Sequence, residues 1–165
     1  MEEILDLIDE ENNVIGKASR KEIKEKGLLY RCAGVYVMHN EQLVVQQRSP
    51  NKQIRPLHYS IVEETVHSEE SFEEAAVRGV KEELGLEATE LEEFGKIRIK
   101  DEKYNDDFLL GVFKANGAGE IIIDKNEVES FKEISLEEAE KLLNSGEKIS
   151  PGFSKSFPLL KEATK

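Results

Sequence analysis

Glu82 and Glu83 stand side by side near the end of an acidic stretch, Glu63 to Leu86, that reads EETVHSEESFEEAAVRGVKEELGL. On a helix, positions 79, 82 and 83 fall at i, i+3 and i+4 and share one face. Two carboxylates grouped there are hard oxygen donors of the kind Mg²⁺ or Mn²⁺ takes, with waters and substrate phosphates completing the shell. The same residues also fit a solvated acidic helix face, ordinary in a chain that is 35% charged. Helix content alone favours that second reading.

The element that carries these residues is well specified. Ser71 and Glu74 make an S-x-x-E capping box, in which each side chain satisfies an orphan backbone donor. Phe72, Ala76, Val80 and Leu84 repeat every fourth residue as one apolar stripe, with Glu82 and Glu83 expected roughly opposite Phe72 and Ala76. Gly85 ends the helix by supplying a left-handed backbone. Upstream, Ile4–Ile8 and Val14–Ala18 read as a hairpin around Glu11-Asn12-Asn13. Ser19 caps a short helix through Lys26 that Gly27 ends. From Leu29 to Met38, Tyr30, Cys32, Gly34, Tyr36 and Met38 alternate with Arg31, Ala33, Val35 and Val37, as a strand requires. Leu43 to Gln47 is its hairpin partner, Ser49 to Leu57 a loop, and Tyr59 to Val62 a short strand. Downstream, strands are predicted at Leu91–Ile99, Phe108–Lys114, Glu120–Ile123 and Val128–Ile134, with a turn at Asn116–Gly119. Ser135, with Glu138, caps a helix through Leu143, and a last helix covers Phe153–Glu162. The class is α+β: a mixed β-sheet with the central helix and the C-terminal helices packed on it.

Composition narrows the function. The net charge of −12 over 165 residues argues against a partner bound by neutralising a nucleic-acid backbone, so no nucleic-acid polymer is expected. A small phosphorylated ligand remains compatible, because a bound cation inverts the local potential. No stretch approaches the ~20 apolar residues that span a bilayer, and no membrane partner is expected. Met1-Glu2-Glu3-Ile4 opens without a basic and apolar leader, and Cys32 is the one cysteine, so the expected location is cytoplasmic. A homodimer is one assembly open to such a chain.

The order of residues adds a resemblance. Glu70, Arg78, Val80, Glu82, Glu83, Gly85 and Leu86 match the Nudix box, G-x5-E-x7-R-E-U-x-E-E-x-G-U, on a capped helix ended by glycine. Flanking segments agree: Asp6-Leu7-Ile8-Asp9 then Gly16, Gln46-Gln47-Arg48 followed by Lys52, and Glu127-Val128 before the Ser135 helix. The chain resembles a single Nudix domain over 1–165, closest to the isopentenyl diphosphate isomerase branch. It departs from the box at Glu64, where the first glycine stands in the family, and at Gly79, where a glutamate does. Glycine in mid-helix also costs roughly 0.5–1 kcal/mol relative to alanine.

The resemblance implies Mg²⁺ or Mn²⁺ clamping a small diphosphate-containing molecule and polarising a water for attack on phosphorus. It gives Glu82 and Glu83 the catalytic and metal-binding role. Glu63 or Glu64, on a segment that in this fold passes beside the metal, is expected to replace the carboxylate missing at Gly79. Arg48 and Lys52 match an R-x3-K pattern that contacts the diphosphate in the isomerase branch; otherwise they are solvated loop charges. Glu70, Arg78 and Gly85 have structural roles in the motif. The implied activity is hydrolysis of a diphosphate linkage in a small organic or nucleotide compound. The alternatives are an isomerase-like protein or a Nudix-fold binding protein without turnover. The isomerase needs a cysteine two residues before a metal-binding histidine, where this chain has Glu63 and Thr65, and a histidine common in relatives is Tyr30 here. Cys32 reads as a small buried hydrophobe. His58 and His67 flank the altered segment and are further ligand candidates.

Overall fold

Alternation along Leu29–His39 puts apolar side chains on both sides of one strand, so both sides must be covered. The computed structural model describes residues 2–164; Met1 and Lys165, the ends of the expected 1–165 unit, lie outside them. In chain order the elements are β1 (Ile4–Ile8), β2 (Val14–Ser19), α1 (Arg20–Lys26), β3 (Leu29–His39) and β4 (Gln42–Arg48). Then come β5 (Tyr59–Ser60), β6 (Val62–Thr65), α2 (Phe72–Leu84), β7 (Glu87–Asp101), β8 (Asp106–Ala118), β9 (Val128–Ile134), α3 (Leu136–Leu143) and α4 (Pro151–Ala163).

Strands β1 and β2 form a separate hairpin, and the other seven form one mixed sheet in which β3 runs parallel to β8. Tyr30, Cys32 and Tyr36 face one core layer, which they share with Ile23 of α1 and Phe153, Phe157 and Leu160 of α4. Ala33, Val35 and Val37 face the other, which they share with Phe72, Ala75, Ala76, Val80 and Leu84 of α2. The helices thus sandwich the sheet, in the α+β arrangement expected. The caps also form: Ser71 and Ser135 each accept from the third backbone N–H of their helix, in complete capping boxes.

One expected strand is absent. Residues 120–123 carry no strand pairing, and β8 continues through the Asn116–Ala118 segment expected to turn. Ile122 instead lies over the end of α2, its N–H donating to the carbonyl of Leu84 at 2.8 Å. The apolar run Ile121–Ile123 was misleading because a helix C-terminus, with carbonyls left unpaired, also needs an extended cover.

The position of β3 against β4 opens the cleft. The two strands pair only at the tip of their hairpin, Met38 with Leu43 and His39 with Gln42. Beyond it β4 joins β9 and β5, while β3 joins β6 and β8.

At the start of β8 a buried carboxylate ties three elements together. Asp106, wholly covered, accepts from Lys24 Nζ at 2.7 Å, Tyr30 Oη at 2.7 Å and Arg55 Nη2 at 3.0 Å. Burial works against its charge, but Lys24, Tyr30 and Arg55 outweigh burial and hold the carboxyl below its ordinary 3.8. Burial still pulls the Lys24 ammonium down despite the same pair, so the stabilisation rests on three donors converging and not on one ion pair. Asp106→Asn should destabilise by about 3–5 kcal/mol in denaturant unfolding, because it leaves Lys24 buried without its counter-charge and Arg55 with Asp101 alone. A carboxylate with a lowered folded pKa contributes stability that is present above its unfolded value and lost as pH falls through the folded one. The variant's stability should therefore fall less steeply than the parent's on acidification below the ordinary 3.8. Equal midpoints and equal acid slopes would show that the cluster carries no stability.

Candidate functional site

Successive residues of a strand point to opposite faces, so Glu63 and Glu64 cannot both face α2. In β6, Glu64 is paired with Ala33 and turns towards α2, while Glu63 is paired with Gly34 and turns towards α4. There the Glu63 carboxylate accepts from Ser150 Oγ at 2.6 Å. It lies so close to Gly152 that a Cβ on that residue would stand 2.2 Å from it.

Glu64 meets α2 at Gly79. A Cβ at position 79 would stand 2.9 Å from Glu64 Cβ and 3.2 Å from Val62 Cγ1, inside the contact distance of real side chains. The glycine is therefore required by close packing of helix on strand. The space a side chain at position 79 would need is already filled by the Glu64 side chain. Glu83, expected away from the apolar stripe, is buried. Its place follows from the period of the helix, since it is two turns beyond Ala76 and so on the same face. Glu82 is more than half exposed at the rim.

Arg78 holds this arrangement. Its Nε and Nη2 donate to the two oxygens of Glu70 at 3.0 and 2.9 Å, and Nη2 also donates to the carbonyl of Thr65 at 2.7 Å. Its Nη1 lies 3.2 Å from Glu64 and 3.4 Å from Glu82. The Glu70–Arg78 pair thus fastens the segment before α2 to the helix, and Gly85, at φ +72°, closes that helix. Burial pushes the Glu64 carboxyl up to about 7; Arg78 opposes the shift and Glu82 adds to it. Burial, followed by the charge of Glu64, pushes Glu83 well above the carboxylate range.

The carboxylates Glu63, Glu64, Glu82 and Glu83 line one cleft of ≈ 480 Å³. Its other wall carries Arg20, Lys24, Arg48, Lys52 and Arg55. Arg48 donates Nε and Nη2 to the carbonyl of Ile54, and Nε also to that of Arg55, which folds the 49–57 loop over the cleft. Lys52 is paired with Glu127. The histidines are elsewhere: His58 contacts the carbonyl of Pro56, His67 lies beside Glu3, and neither lines the cleft. Cys32 is buried, and burial pushes its thiol up to about 12, so little of it is the nucleophilic thiolate.

Sequence reading missed two groups. Gln46 is buried and donates Nε2 to Glu83 at 2.6 Å, while its Oε1 has no hydrogen-bond partner among the described residues. A polar amide at an inward position of a strand that reads LVVQQR was the available signal. The α1 cations Arg20 and Lys24 gave no signal, because they reach the cleft only through the tertiary fold.

Comparison with known proteins agrees with the fold. The NUDIX domain family matches residues 29–156. An uncharacterized Nudix hydrolase of Streptomyces coelicolor is 30% identical over 155 residues, covering 93% of this chain and 86% of that protein. An isopentenyl-diphosphate Delta-isomerase of Photorhabdus laumondii is 40% identical, but over 53 residues only, 32% of this chain and 30% of that one. A crystal structure from Deinococcus radiodurans superposes with a TM-score of 0.78 at 21% identity, covering 94% of this chain and 98% of that one. Fold, motif and relatives coincide, and the chain belongs to the Nudix hydrolase superfamily.

Proposed function

We propose that this protein is a divalent-metal-dependent hydrolase of a diphosphate linkage in a small organic or nucleotide compound, with Glu64 supplying the carboxylate that Gly79 lacks. One observation carries the reading: the Glu64 side chain occupies the space that a side chain at position 79 would need. The two departures from the family motif then compensate each other, one carboxylate having moved from helix to strand.

The donor set fits Mg²⁺ or Mn²⁺. Among the described residues no three His, Cys, Asp or Glu side chains form a ready-made coordination cage. Mg²⁺ does not require one, since one or two carboxylates with waters and substrate phosphates suffice. Glu64 and Glu83 would hold the ion, with Glu82 at the rim. The unpartnered Oε1 of Gln46 adds a neutral oxygen beside them. When bound, the cation would offset the diphosphate charge and make an attacking water more acidic. The chain's own residues do the positioning. Gln46 fixes Glu83, Arg78 fixes Glu64, and Arg48 and Lys52 face the carboxylates across the cleft, where they would hold the diphosphate. Glu63, held by Ser150 on the α4 side, acts through charge in this reading and not as a ligand. Isomerisation is the weaker reading, because no thiol or histidine stands at Glu63 or Thr65 and the Cys32 thiol is protonated.

A panel of diphosphate compounds with Mg²⁺ or Mn²⁺, read as phosphate release, tests the activity; EDTA should abolish it. Glu64→Gln and Glu83→Gln should each lower kcat about a hundredfold or more, as loss of metal-held charge does. Full activity in both would place the chemistry elsewhere.

Gly79→Glu should destabilise by about 1–3 kcal/mol through overpacking, although glutamate is the better helix former. Combining it with Glu64→Gly should recover both stability and hydrolysis above either single variant. A single Gly79→Glu that gains stability and activity would overturn the exchange.

A further inference from the structure

The cleft does not end at the carboxylates. It continues into a groove of ≈ 630 Å³ between α1 and the loop after β4, lined by Arg20, Lys21, Lys24, Arg48 and Lys52, with Glu25 the one acidic side chain in its wall. In a chain of net charge −12 this is a local inversion of sign. Resting on the hydrolase reading above, we propose that the groove binds a second anionic group of the substrate, a phosphate separate from the diphosphate that is cleaved.

The donors needed are present. Arg20 uses Nη1 on Glu3 and Thr65, and its Nε and Nη2 make no hydrogen bond among the described residues. Lys21 is mostly exposed and has only a 3.9 Å contact with Glu25. Lys24 spends two of the three donors of an ammonium, on Tyr30 and Asp106. The carboxylates that neutralise these cations in part, Glu3, Asp106 and Glu127, lie outside the groove wall. What remains on the groove side is a fork of guanidinium donors beside two ammonium groups, the chemistry that recognises a phosphate.

The groove is poorly suited to other substituents. Among the described residues Ile54 is its one apolar side chain, and none that lines it is aromatic. In the adjoining cleft Tyr30 and Phe108 are almost wholly buried, leaving no ring face on which a base could stack. Apart from Ile54, the apolar surface of the groove is formed by side chains that end in charged or polar groups, so a prenyl chain would have to bury those groups with it. Repulsion from the acidic remainder of the surface would add to the selectivity, since an anion gains favourable potential only along this path.

Two probes that differ only in the second phosphate test this: 5-phosphoribosyl 1-diphosphate and ribose 1-diphosphate. Their affinities are measured by calorimetry with Ca²⁺ in place of Mg²⁺, on the full chain and on Lys21→Glu and Arg20→Gln. The phosphoribosyl compound should bind tighter by about tenfold or more, the effect of one hydrogen bond to a charged group. That ratio should fall towards one in both variants. Equal affinities in the parent, or a ratio that survives both substitutions, would overturn the proposal. Phosphate release in Mg²⁺ is read separately. A binding preference without release upholds the groove and counts against the hydrolase reading; release without preference does the reverse.

Discussion

The contact between Gly79 and Glu64 is the constraint on which the rest of the site depends. A helix can approach a strand this closely only if one of them gives up its side chain at the crossing, and here the helix does. That approach brings Arg78 within reach of Glu64, the Thr65 carbonyl and Glu70 together. One guanidinium thereby joins the strand, the segment before the helix, and the helix itself. A planar fork of five donors can serve groups spread around its edge; a lysine ammonium could not hold them in one plane.

Stability alone does not account for the charges around that contact. Glu82 and Glu83 lie in the last turn of α2, where the helix dipole disfavours anions. Glu83 is buried, and burial raises Glu64 to about 7 even with Arg78 opposing the shift. The cation paired with Glu64 and Glu82, Arg78, is already shared with Glu70. Each of these features costs folding free energy, and a positive ion between the carboxylates would relieve them. Local rules broken together at one place are more informative than any one of them.

Much of this was legible in the sequence, for identifiable reasons. Helix ends are written in short-range chemistry, so Ser71 with Glu74, Ser135 with Glu138, and Gly85 marked their helices correctly. Alternation along β3 was legible because both faces are buried by different layers. Ile121–Ile123 misled because an apolar extended segment reads alike whether it pairs with a strand or covers a helix end. The direction of Glu83 was misjudged from the stripe of every fourth residue, which drifts about 40° at each step, while the seven-residue step from Ala76 drifts only about 20°. Gln46, Arg20 and Lys24 were out of reach for another reason. Their meaning comes from strands and a helix brought together by the fold, and no local pattern encodes that.

Position 79 shows where reading a motif residue by residue stops being sufficient. A motif lists residue types along the chain, but a cation responds to where oxygen atoms lie in space. Val62 to Thr65 runs against α2, so a carboxylate rooted on Glu64 and one rooted on position 79 would compete for one volume. Having both would overpack the crossing, and the loss of both would leave a void beside buried Glu83. Glycine opposite glutamate is therefore a packing requirement that either order can meet. The sequence at these two positions looks degenerate, whereas in space they place one side chain and one carboxylate at the crossing of helix and strand.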